Sequence, residues 1–405
     1  MYIDRHISSK VKEYSKQFPS LIITGPRQVG KTTLLKHINN DIEYLTFDDP
    51  ILKQHAKEDS NLFLKTYDFP IILDEVQYVP ELFPYIKMRI DTIQENNMYL
   101  MTGSQSFELM KNANESLAGR VAILELSGLS LRELYNIDFH SAFIPSIEYF
   151  SERKRKLKSY DDLWYWIHRG SMPRLNDKDI DWELYYSSYV KTYIERDLRS
   201  LVDISNEITF LNFMTALAAR TGEMLNYSQI ASDIGISVDT AKRWTSLLKT
   251  SGIIYIMQPY YNNVLTRVVK TPKVYFTDTG LVCYLTRWLT PETLRNGAKA
   301  GNIFETFIVN EIIKSYKNAG ITNVPLYYYR DKDKKEIDVI IEVNGVLHPV
   351  EIKMSASPTK SMIKSFNVLD SIPGIKRGLG AVICQYDSLF YLEEEVVVLP
   401  INYIW

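Results

Sequence analysis

The chain has little cysteine, no long apolar run and almost no net charge, and each absence excludes a class of protein. Its 405 residues include two cysteines, Cys283 and Cys384, too few and too far apart for a disulfide framework or a zinc knuckle. We find no run of about 18 apolar residues, so we predict no membrane-spanning helix. With a net charge of −2, any nucleic-acid contact must be a local patch. These absences favour a soluble, cytoplasmic protein without a membrane partner.

The stretch LIITGPRQVGKTTLL, residues 21–35, joins an apolar run to a glycine-rich turn. From Gly25 to Thr32 it satisfies G-x-x-x-x-G-K-[ST], the P-loop pattern. The two glycines let the backbone point N–H groups at phosphate oxygens, and the following helix presents its positive end to the same phosphates. We expect Lys31 to reach the β- and γ-phosphates of ATP and the Thr32 hydroxyl to bind Mg²⁺. The predicted nucleotide-binding set is Gly25, Pro26, Arg27, Gln28, Val29, Gly30, Lys31, Thr32 and Thr33.

Two later apolar strands end in polar residues. PIILDE, residues 70–75, ends in Asp74 and Glu75, and in a parallel sheet that end faces the ligand crevice. We expect Asp74 to join the Mg²⁺ shell and Glu75 to polarise the attacking water, although an acidic helix start explains the same letters. MYLMTGSQ, residues 98–105, offers Thr102, Ser104 or Gln105 to orient that water, and a glycine turn is the alternative.

Three basic stretches each allow two interpretations. Arg120, before a predicted strand, is either an arginine finger acting in cis or on a neighbouring subunit of a homo-oligomer, or a surface arginine. The run SERKRKLK, residues 151–158, is either a solvated face or a nucleic-acid contact. ERDLR, residues 195–199, either carries a sensor arginine for ATP or forms ion pairs within its helix.

Residues 225–249 show a helix–turn–helix pattern. Gly235 makes the turn and Ser237 caps the second helix. Strands at 253–260 and 273–277, with Asn262-Asn263 between them, would complete a winged helix. The apolar seam is formed by Ile230, Ile234, Ala241, Trp244 and Leu248, and the DNA-facing side would carry Asp239, Lys242 and Arg243. Winged helices also dock proteins, so a DNA partner and a protein partner both stay open.

A hairpin is predicted near the C-terminus, in KEIDVIIEVNGVLHPVEIK, residues 335–353. Its Asn-Gly turn at 344–345 pairs Val343 with Val346. That register places Asp338 opposite Glu351, and also Glu336 opposite Lys353, with an apolar core on the other face. Two opposed carboxylates destabilise a hairpin unless a cation compensates, either Lys353 or a divalent ion.

Strand–helix repetition with these motifs resembles the AAA+ ATPases. Nearly the whole chain resembles a bacterial and archaeal family of predicted AAA+-type ATPases of uncertain function, with a P-loop domain, a helical region and a restriction-endonuclease-like C-terminus. The matching stretches are GPRQVGKTT (25–33), ILDEVQ (72–77), LMTGSQ (100–105), SLAGRV (116–121), RDLRSLVDI (196–204), TGEMLNYSQIASDIGIS (221–237) and KTPKVYFTDTGL (270–281).

The spacing D-x12-E-x-K in the hairpin also resembles the metal-dependent nuclease core of restriction endonucleases and four-way junction resolvases. This resemblance implies that Asp338 and Glu351 hold Mg²⁺ and that Lys353 steadies the attacking water or the scissile phosphate. It further implies that Glu305, on the preceding helix, adds a ligand. The alternative is a charged hairpin face on a fold that has lost this activity.

The sequence therefore predicts an α/β protein with a P-loop, AAA+-like parallel sheet, a helical lid and winged-helix middle region, and a C-terminal restriction-endonuclease-like α/β domain. The predicted boundaries are 1–135, 136–205, 206–290 and 291–405. The predicted function is Mg-dependent ATP binding and hydrolysis, associated with DNA, with a PD-(D/E)xK nuclease-like site. The alternative is a signalling or regulatory ATPase switch that binds protein partners without cleaving DNA, and a P-loop kinase ranks below both. Catalytic roles are predicted for Glu75, Arg120, Glu351 and Lys353, and metal binding for Thr32, Asp74, Glu305, Asp338 and Glu351.

Overall fold

The computed structural model describes residues 2–103, 115–160, 162–193, 207–261 and 271–405. The chain divides into two compact units. The first comprises Met1–Leu129, Thr250–Gly252 and Tyr316–Thr322, and the second comprises Ser130–Lys249, Ile253–Ser315 and Asn323–Trp405. The finer division into four domains stays a prediction. Several predicted residues lie outside the described ranges: Ser104, Gln105, residues 195–199, Asn262 and Asn263.

A parallel sheet forms the centre of the first unit. Its strands are β1 (Ser20–Thr24), β2 (Glu43–Thr46), β3 (Ile71–Asp74), β4 (Tyr99–Thr102) and β5 (Val121–Glu125), in the order β2-β3-β4-β1-β5. Every residue of β1, β3 and β4 is buried, because a parallel sheet covered on both faces requires continuous apolar strands. The helices are α1 (Ser8–Ser15), α2 (Lys31–Ile38), α3 (Pro50–Glu58), α4 (Ser60–Thr66) and α5 (Leu82–Ile93). The predicted parallel α/β sheet is confirmed.

The strand register brings the polar strand ends to one edge of this sheet. Ile23 of β1 pairs with Thr102 of β4, while Leu73 of β3 pairs with Met101. The carboxyl ends of β1, β3 and β4 therefore meet. The residues that follow or end these strands share this edge.

From Ser130 onward the helices are α6 (Leu131–Leu134), α7 (Ile147–Lys154), α8 (Leu163–Arg169), α9 (Trp182–Tyr193), α10 (Glu207–Ala218), α11 (Tyr227–Ile234), α12 (Val238–Thr250), α13 (Thr279–Leu285), α14 (Pro291–Arg295) and α15 (Ala300–Asn318). The strands are β6 (Glu223–Met224), β7 (Ile254–Pro259), β8 (Lys273–Phe276), β9 (Leu326–Arg330), β10 (Glu336–Val343), β11 (Val346–Ile352), β12 (Lys376–Arg377), β13 (Gly380–Cys384), β14 (Phe390–Glu393) and β15 (Val396–Pro400). Within the described ranges, no helix is both long and apolar enough to cross a membrane.

One mixed sheet runs through the second unit. Its order is β14-β15-β13-β11-β10-β9-β7-β8-β6, with β12 beside β11. Strand β7 pairs in parallel with β9 through Gln258 and Tyr327, so strands of the middle segment and of the C-terminal segment lie side by side in one sheet. Side chains from the two segments can therefore meet on its surface.

The hairpin register is confirmed. Val343 pairs with Val346, and the antiparallel ladder continues to Val339 and Val350. Asn344 and Gly345 have φ values of 51° and 76°, as the tight Asn-Gly turn requires. Beyond this ladder, Asp338 Oδ2 accepts the Ile352 N–H at 2.9 Å, so the carboxylate is drawn to the strand end.

The helix–turn–helix elements also form as predicted. Gly235 ends α11 with φ 75°, and the Ser237 hydroxyl accepts the Thr240 N–H at 3.0 Å at the start of α12. Strand β8 pairs antiparallel with both β7 and β6. Of the predicted apolar seam, Ile230, Ala241, Trp244 and Leu248 are buried and Ile234 is half-buried.

Candidate functional site

The loop between β1 and α2 has the backbone of a phosphate-binding turn. Gly25, Gln28 and Gly30 have φ values of 139°, 63° and 92°. A Cβ atom at Gly25 would lie 2.1 Å from the Leu126 carbonyl oxygen, so only glycine fits there. Val29 is buried, and its carbonyl accepts a hydrogen bond at 2.8 Å from Arg5 Nη1. The loop is thus held in a curled form at the start of α2.

Lys31 lies inside this loop. It is 7% exposed, and its Nζ donates to the carbonyl oxygens of Gly25 at 3.1 Å and Pro26 at 3.0 Å. These are neutral acceptors on the loop that the sequence predicts to bind phosphates. The ammonium is therefore already beside the predicted phosphate position.

Asp74, at the end of β3, is surrounded by hydroxyl donors. Its Oδ1 accepts from Thr32 Oγ1 at 2.7 Å and from the Thr102 hydroxyl. Its Oδ2 accepts from Tyr44 OH at 2.7 Å. Burial, and then the hydrogen bond to Asp74, raise the pKa of Tyr44. The structure thus brings together Thr32, Asp74 and Thr102, which the sequence predicted to share a site.

Glu75 follows directly, in a left-handed backbone conformation with φ 57°. Non-glycine residues rarely adopt this region, and such conformations concentrate at functional sites. Its carboxylate accepts a hydrogen bond from the Gln77 side-chain amide, and its own N–H donates to Thr102 Oγ1 at 3.4 Å. The role of Glu75 as the catalytic base stays a prediction.

Sequence reasoning missed Arg5 and Tyr44. Arg5 is 5% exposed, and besides Val29 its guanidinium binds the Ser127 carbonyl at 2.7 Å, which links the phosphate loop to the chain after β5. Nothing in the sequence around Arg5 marks this role. Tyr44 lies on β2, next to β3, and this neighbourhood is visible only in the structure.

The cis arginine-finger interpretation of Arg120 is wrong. Arg120 precedes β5, and its carbonyl accepts the Ser20 N–H at 3.2 Å at the amino end of β1. The phosphate loop follows the opposite end of that strand, about 15 Å away at roughly 3.3 Å per residue. Its guanidinium instead pairs with Asp91, with Nε 2.5 Å from Oδ1 and Nη2 3.1 Å from Oδ2. A role on a neighbouring subunit stays a prediction.

In the basic run at 151–158, Arg153 is buried, whereas Lys154, Arg155, Lys156 and Lys158 are exposed, so a nucleic-acid contact there stays a prediction. Arg153 is fully buried, its Nη2 donates to the Asn402 carbonyl at 2.9 Å, and burial lowers its pKa to about 10. Lys158 donates to the backbone carbonyls of Tyr135 at 2.7 Å and Asn136 at 3.1 Å. Arg153 packs into the core and Lys158 is tied to a neighbouring segment.

In the C-terminal segment, Lys353 lies between the two hairpin carboxylates. Its Nζ is 3.2 Å from Asp338 Oδ2 and 2.5 Å from Glu351 Oε1. The other oxygen of Glu351 is buried, with no hydrogen-bond partner in the described part of the chain. Burial, and then the nearby Asp338 charge, raise the pKa of Glu351 to about 8 against the opposing effect of Lys353.

Glu305, on α15, is held by residues of β8. Its Oε1 accepts from Tyr275 OH at 2.7 Å and lies 3.4 Å from Lys273 Nζ. Burial, and then Asp338, raise the pKa of Glu305 to about 7. Glu336 also pairs with Lys273, with Oε1 2.7 Å from Nζ. The predicted register places Glu336 opposite Lys353 instead.

The predicted metal set of Glu305, Asp338 and Glu351 stays a prediction, and these contacts show which cations its members face in the structure. Across the described ranges, no group of three or more His, Cys, Asp or Glu side chains is arranged to hold a metal ion. Glu305, Asp338 and Glu351 do not form a ready cage, because Lys353 lies between two of them and Lys273 pairs with the third. Metal binding by Asp338 and Glu351 stays a prediction.

The first unit combines a parallel sheet, a phosphate loop after its first strand and an acidic strand end beside that loop, which are the parts of a P-loop ATPase. Comparison with known families agrees: residues 17–135 match the family model of the AAA domain. This part of the chain is therefore an AAA-type P-loop ATPase domain. Residues 160–292 and 300–404 match two domains of unknown function, DUF8612 and DUF4143.

Two curated relatives are similar over almost the whole chain. The uncharacterized proteins Rv2008c of Mycobacterium tuberculosis and Mb2031c of Mycobacterium bovis are each 28% identical to it, over 99% of this chain and 84% of their own length.

Among solved structures, the Walker-type ATPase PABY2304 of Pyrococcus abyssi is 16% identical to this chain with a TM-score of 0.43, and the match covers 70% of this chain and 96% of PABY2304. AMPPCP-bound DnaA from Aquifex aeolicus is 13% identical with a TM-score of 0.28, covering 60% and 85%. Both TM-scores are too low to carry an argument about function.

Proposed function

We propose that this protein binds and hydrolyses Mg-ATP at the first unit and that the nucleotide state controls engagement of DNA by residues 206–405. The observation that carries the first part is the hydroxyl-lined carboxylate of Asp74, hydrogen-bonded to Thr32 beside the phosphate loop. Hydroxyl and carboxylate oxygens are the ligands that Mg²⁺ prefers, so this donor set fits the ion.

The chain's own residues have separate roles in this proposal. Lys31 exchanges its two loop carbonyls for phosphate oxygens, which are stronger, charged acceptors. Thr32 and Asp74 hold Mg²⁺, which would neutralise phosphate charge. Glu75, directly after Asp74, polarises the attacking water. Thr102 connects the two acidic residues, because its hydroxyl contacts both the Asp74 carboxylate and the Glu75 N–H.

Phosphate release measured with Mg²⁺ and with EDTA tests hydrolysis. Glu75→Gln is expected to bind ATP normally but to lower turnover by about 100-fold or more, since it removes the general base. Glu81→Gln, at an exposed carboxylate shortly after it, is the matched control. Wild-type turnover in Glu75→Gln would place the base elsewhere, and no Mg-dependent hydrolysis by the wild type would reject the function.

DNA engagement is supported by the exposed side of α12. Lys242 and Arg243 project from this helix, and Lys242 and Lys249 line a groove of about 650 Å³ against β7. None of the described residues that line this groove is acidic, so it suits an anionic backbone. We infer a winged-helix role on DNA. Docking of a protein partner is the competing function, and salt-sensitive DNA binding that Lys242→Ala and Arg243→Ala weaken decides between them.

Cleavage of DNA is the second candidate activity. Its support is the buried oxygen of Glu351, which has no hydrogen-bond partner in the described part of the chain, beside Asp338 and Lys353, the residues that the resemblance to metal-dependent nucleases implies. Plasmid, linear and four-way junction DNA would be incubated with Mg²⁺ or Mn²⁺, with and without ATP. Cleavage lost in Lys353→Ala but kept in Lys360→Ala, at an exposed lysine, supports it. No cleavage on any substrate, with intact ATP hydrolysis, favours the partner-binding switch.

A further inference from the structure

Lys273 is a buried lysine held by two carboxylates of the C-terminal segment. It is 3% exposed, and its Nζ lies 2.7 Å from Glu336 Oε1 and 3.4 Å from Glu305 Oε1. Its ammonium also lies 5.5 Å from the centre of the Tyr328 ring. Lysine is almost never this deeply buried unless it is paired, so these contacts define its place.

Tyr275 reinforces the arrangement from the same strand. Lys273 and Tyr275 are two residues apart on β8, so their side chains share one face of the sheet. Tyr275 is fully buried and donates to the same oxygen of Glu305 that faces Lys273. Glu305 therefore has two donors on β8.

Buried carboxylates in a site of this kind require a cation, because their mutual repulsion and their lost hydration are otherwise uncompensated. In most oxygen-rich sites the cation is a divalent ion. In this chain an ammonium group lies within ion-pair distance of both Glu305, which is buried, and Glu336, which is partly exposed. The second oxygen of Glu336 also pairs with Arg330 Nη1 at 3.0 Å. Lys353 compensates Asp338 and Glu351 separately.

We propose that Lys273 is a built-in cation that takes the place of a divalent metal between Glu305 and Glu336. It confines metal binding to the side of the cluster formed by Asp338 and Glu351. Only this second half of the inference rests on the proposed nuclease-like site. The first half concerns Lys273 and its two partners alone.

A consequence is that the carboxylate site is composite. Lys273 and Tyr275 belong to the segment that matches the family model at 160–292, whereas their carboxylate partners belong to the segment matched at 300–404. The paired strands β7 and β9 join the two segments in one sheet. Lys273 and Tyr275 of the preceding segment therefore contribute to the charge balance of the C-terminal site, together with Lys353 and Arg330 of the C-terminal segment.

The experiment compares Mn²⁺ binding by the full wild-type chain and by Lys273→Ala, measured by calorimetry without nucleotide. Removal of the ammonium frees space and two carboxylates, so the variant is expected to bind one more Mn²⁺ per chain than the wild type. Lys299→Ala, which breaks the more exposed pair with Glu223, is the control and is expected to bind as the wild type does. The phosphate loop is unchanged in all three proteins, so its contribution cancels.

The two halves of the inference fail separately. A wild type that binds no Mn²⁺ rejects the Asp338–Glu351 metal site but leaves the expected difference between variant and wild type intact. An equal Mn²⁺ count in the two proteins overturns the role of Lys273. Lys273→Ala combined with Glu305→Gln and Glu336→Gln should lose the additional ion, and retention of that ion would likewise overturn it.

Loss of Lys273 leaves the buried Glu305 without its cation and Glu336 with Arg330 as its remaining partner, so the variant is expected to melt at a lower temperature. Mn²⁺ should raise its melting temperature more than that of the wild type, because a ligand that binds only the folded state stabilises it. If Lys273→Ala is unfolded without metal, refolding on addition of Mn²⁺ supports the proposal. Failure to refold with Mn²⁺ overturns it.

Discussion

The two acidic sites of this protein hold their carboxylates by different means. Asp74, beside the phosphate loop, accepts hydrogen bonds from the hydroxyls of Thr32, Tyr44 and Thr102. In the C-terminal segment, by contrast, Asp338 and Glu351 face the ammonium of Lys353. Hydroxyl donors are neutral, so they orient a carboxylate and leave its charge, whereas an ammonium cancels it.

This difference indicates how each site responds to a cation. At the phosphate loop the positive charge is provided by Lys31, whose Nζ donates to two loop carbonyls. In the proposed function, a metal ion that binds with ATP would meet a carboxylate oriented by three hydroxyl donors. In the C-terminal site an arriving ion must displace or share with Lys353, so we expect weaker metal binding there.

The largest expected effect concerns the nucleotide. Lys31→Ala removes the cation that we expect to bind the phosphates, and loss of such charged hydrogen bonds lowers affinity by about 100-fold. Titration with a fluorescent ATP analogue measures it, and Lys57→Ala, at an exposed lysine of α3, is the control. Unchanged affinity of Lys31→Ala for the ATP analogue would mean that Lys31 does not bind the phosphates. The contrast between the cations of the two acidic sites would then no longer hold.

The next effect concerns pH and the C-terminal carboxylates. The pKa of Glu351 is raised from 4.5 to about 8 in the folded protein, chiefly by burial. Between these two values the folded state binds more protons than the unfolded chain, so the free energy of unfolding falls as the pH rises. The stabilisation that protonated Glu351 contributes is complete below pH 4.5, and it is lost as the pH rises through about 8.

Glu351→Gln cannot ionise, so its free energy of unfolding is expected to fall less than that of the wild type between about pH 5 and pH 8. Urea denaturation at a series of pH values measures this, with Glu394→Gln at an exposed position as the control. Parallel pH profiles for the wild type and Glu351→Gln would mean that Glu351 has the same pKa in the folded and unfolded states, because Lys353 offsets the effect of burial.

Sequence reasoning succeeded where the determining signals are local. The hairpin register follows from an Asn-Gly turn and strict alternation, and the confirmed pairs from Val343 to Val339 show that these signals sufficed. The same holds for Thr32 and Asp74, since apolar strands that end in polar residues must meet at one edge of a parallel sheet.

It failed where one partner carries no motif or strand-end signal that marks the contact. Lys273 is 32 residues from Glu305, and Tyr44 is 30 residues from Asp74. Their contacts depend on which strands become neighbours, which composition and periodicity do not encode. The alternation of Lys273 and Tyr275 on one face of a short strand is the signal that was available, and only the β7–β9 pairing gives it a meaning.

A smaller effect is expected when the Tyr44 hydroxyl is removed, a group that sequence reasoning did not place in the site. Tyr44→Phe keeps the ring, and with it the contact to Lys36, whose Nζ lies 3.3 Å from the ring centre, but it removes one donor to Asp74. We expect half-maximal ATP turnover to need about 3–10-fold more Mg²⁺, which corresponds to roughly 1 kcal/mol, the typical net contribution of one intramolecular hydrogen bond. Nucleotide binding in EDTA should not change. An unaltered Mg²⁺ dependence would show that Thr32 and Thr102 orient Asp74 without Tyr44.

The smallest effect is expected from Arg120. Its pair with Asp91 is exposed, and exposed ion pairs contribute little to stability, so Arg120→Ala should melt close to the wild-type temperature. Because Arg120 lies at the sheet edge away from the phosphate loop of its own chain, turnover per chain at low protein concentration should also be unchanged. Asp91→Ala breaks the same pair but keeps the arginine, so it separates the effect of losing the ion pair from the effect of losing the guanidinium.

If wild-type turnover rises with protein concentration and only Arg120→Ala removes that rise, the guanidinium acts on a neighbouring subunit. Concentration-independent turnover in all three proteins leaves Arg120 as a surface residue.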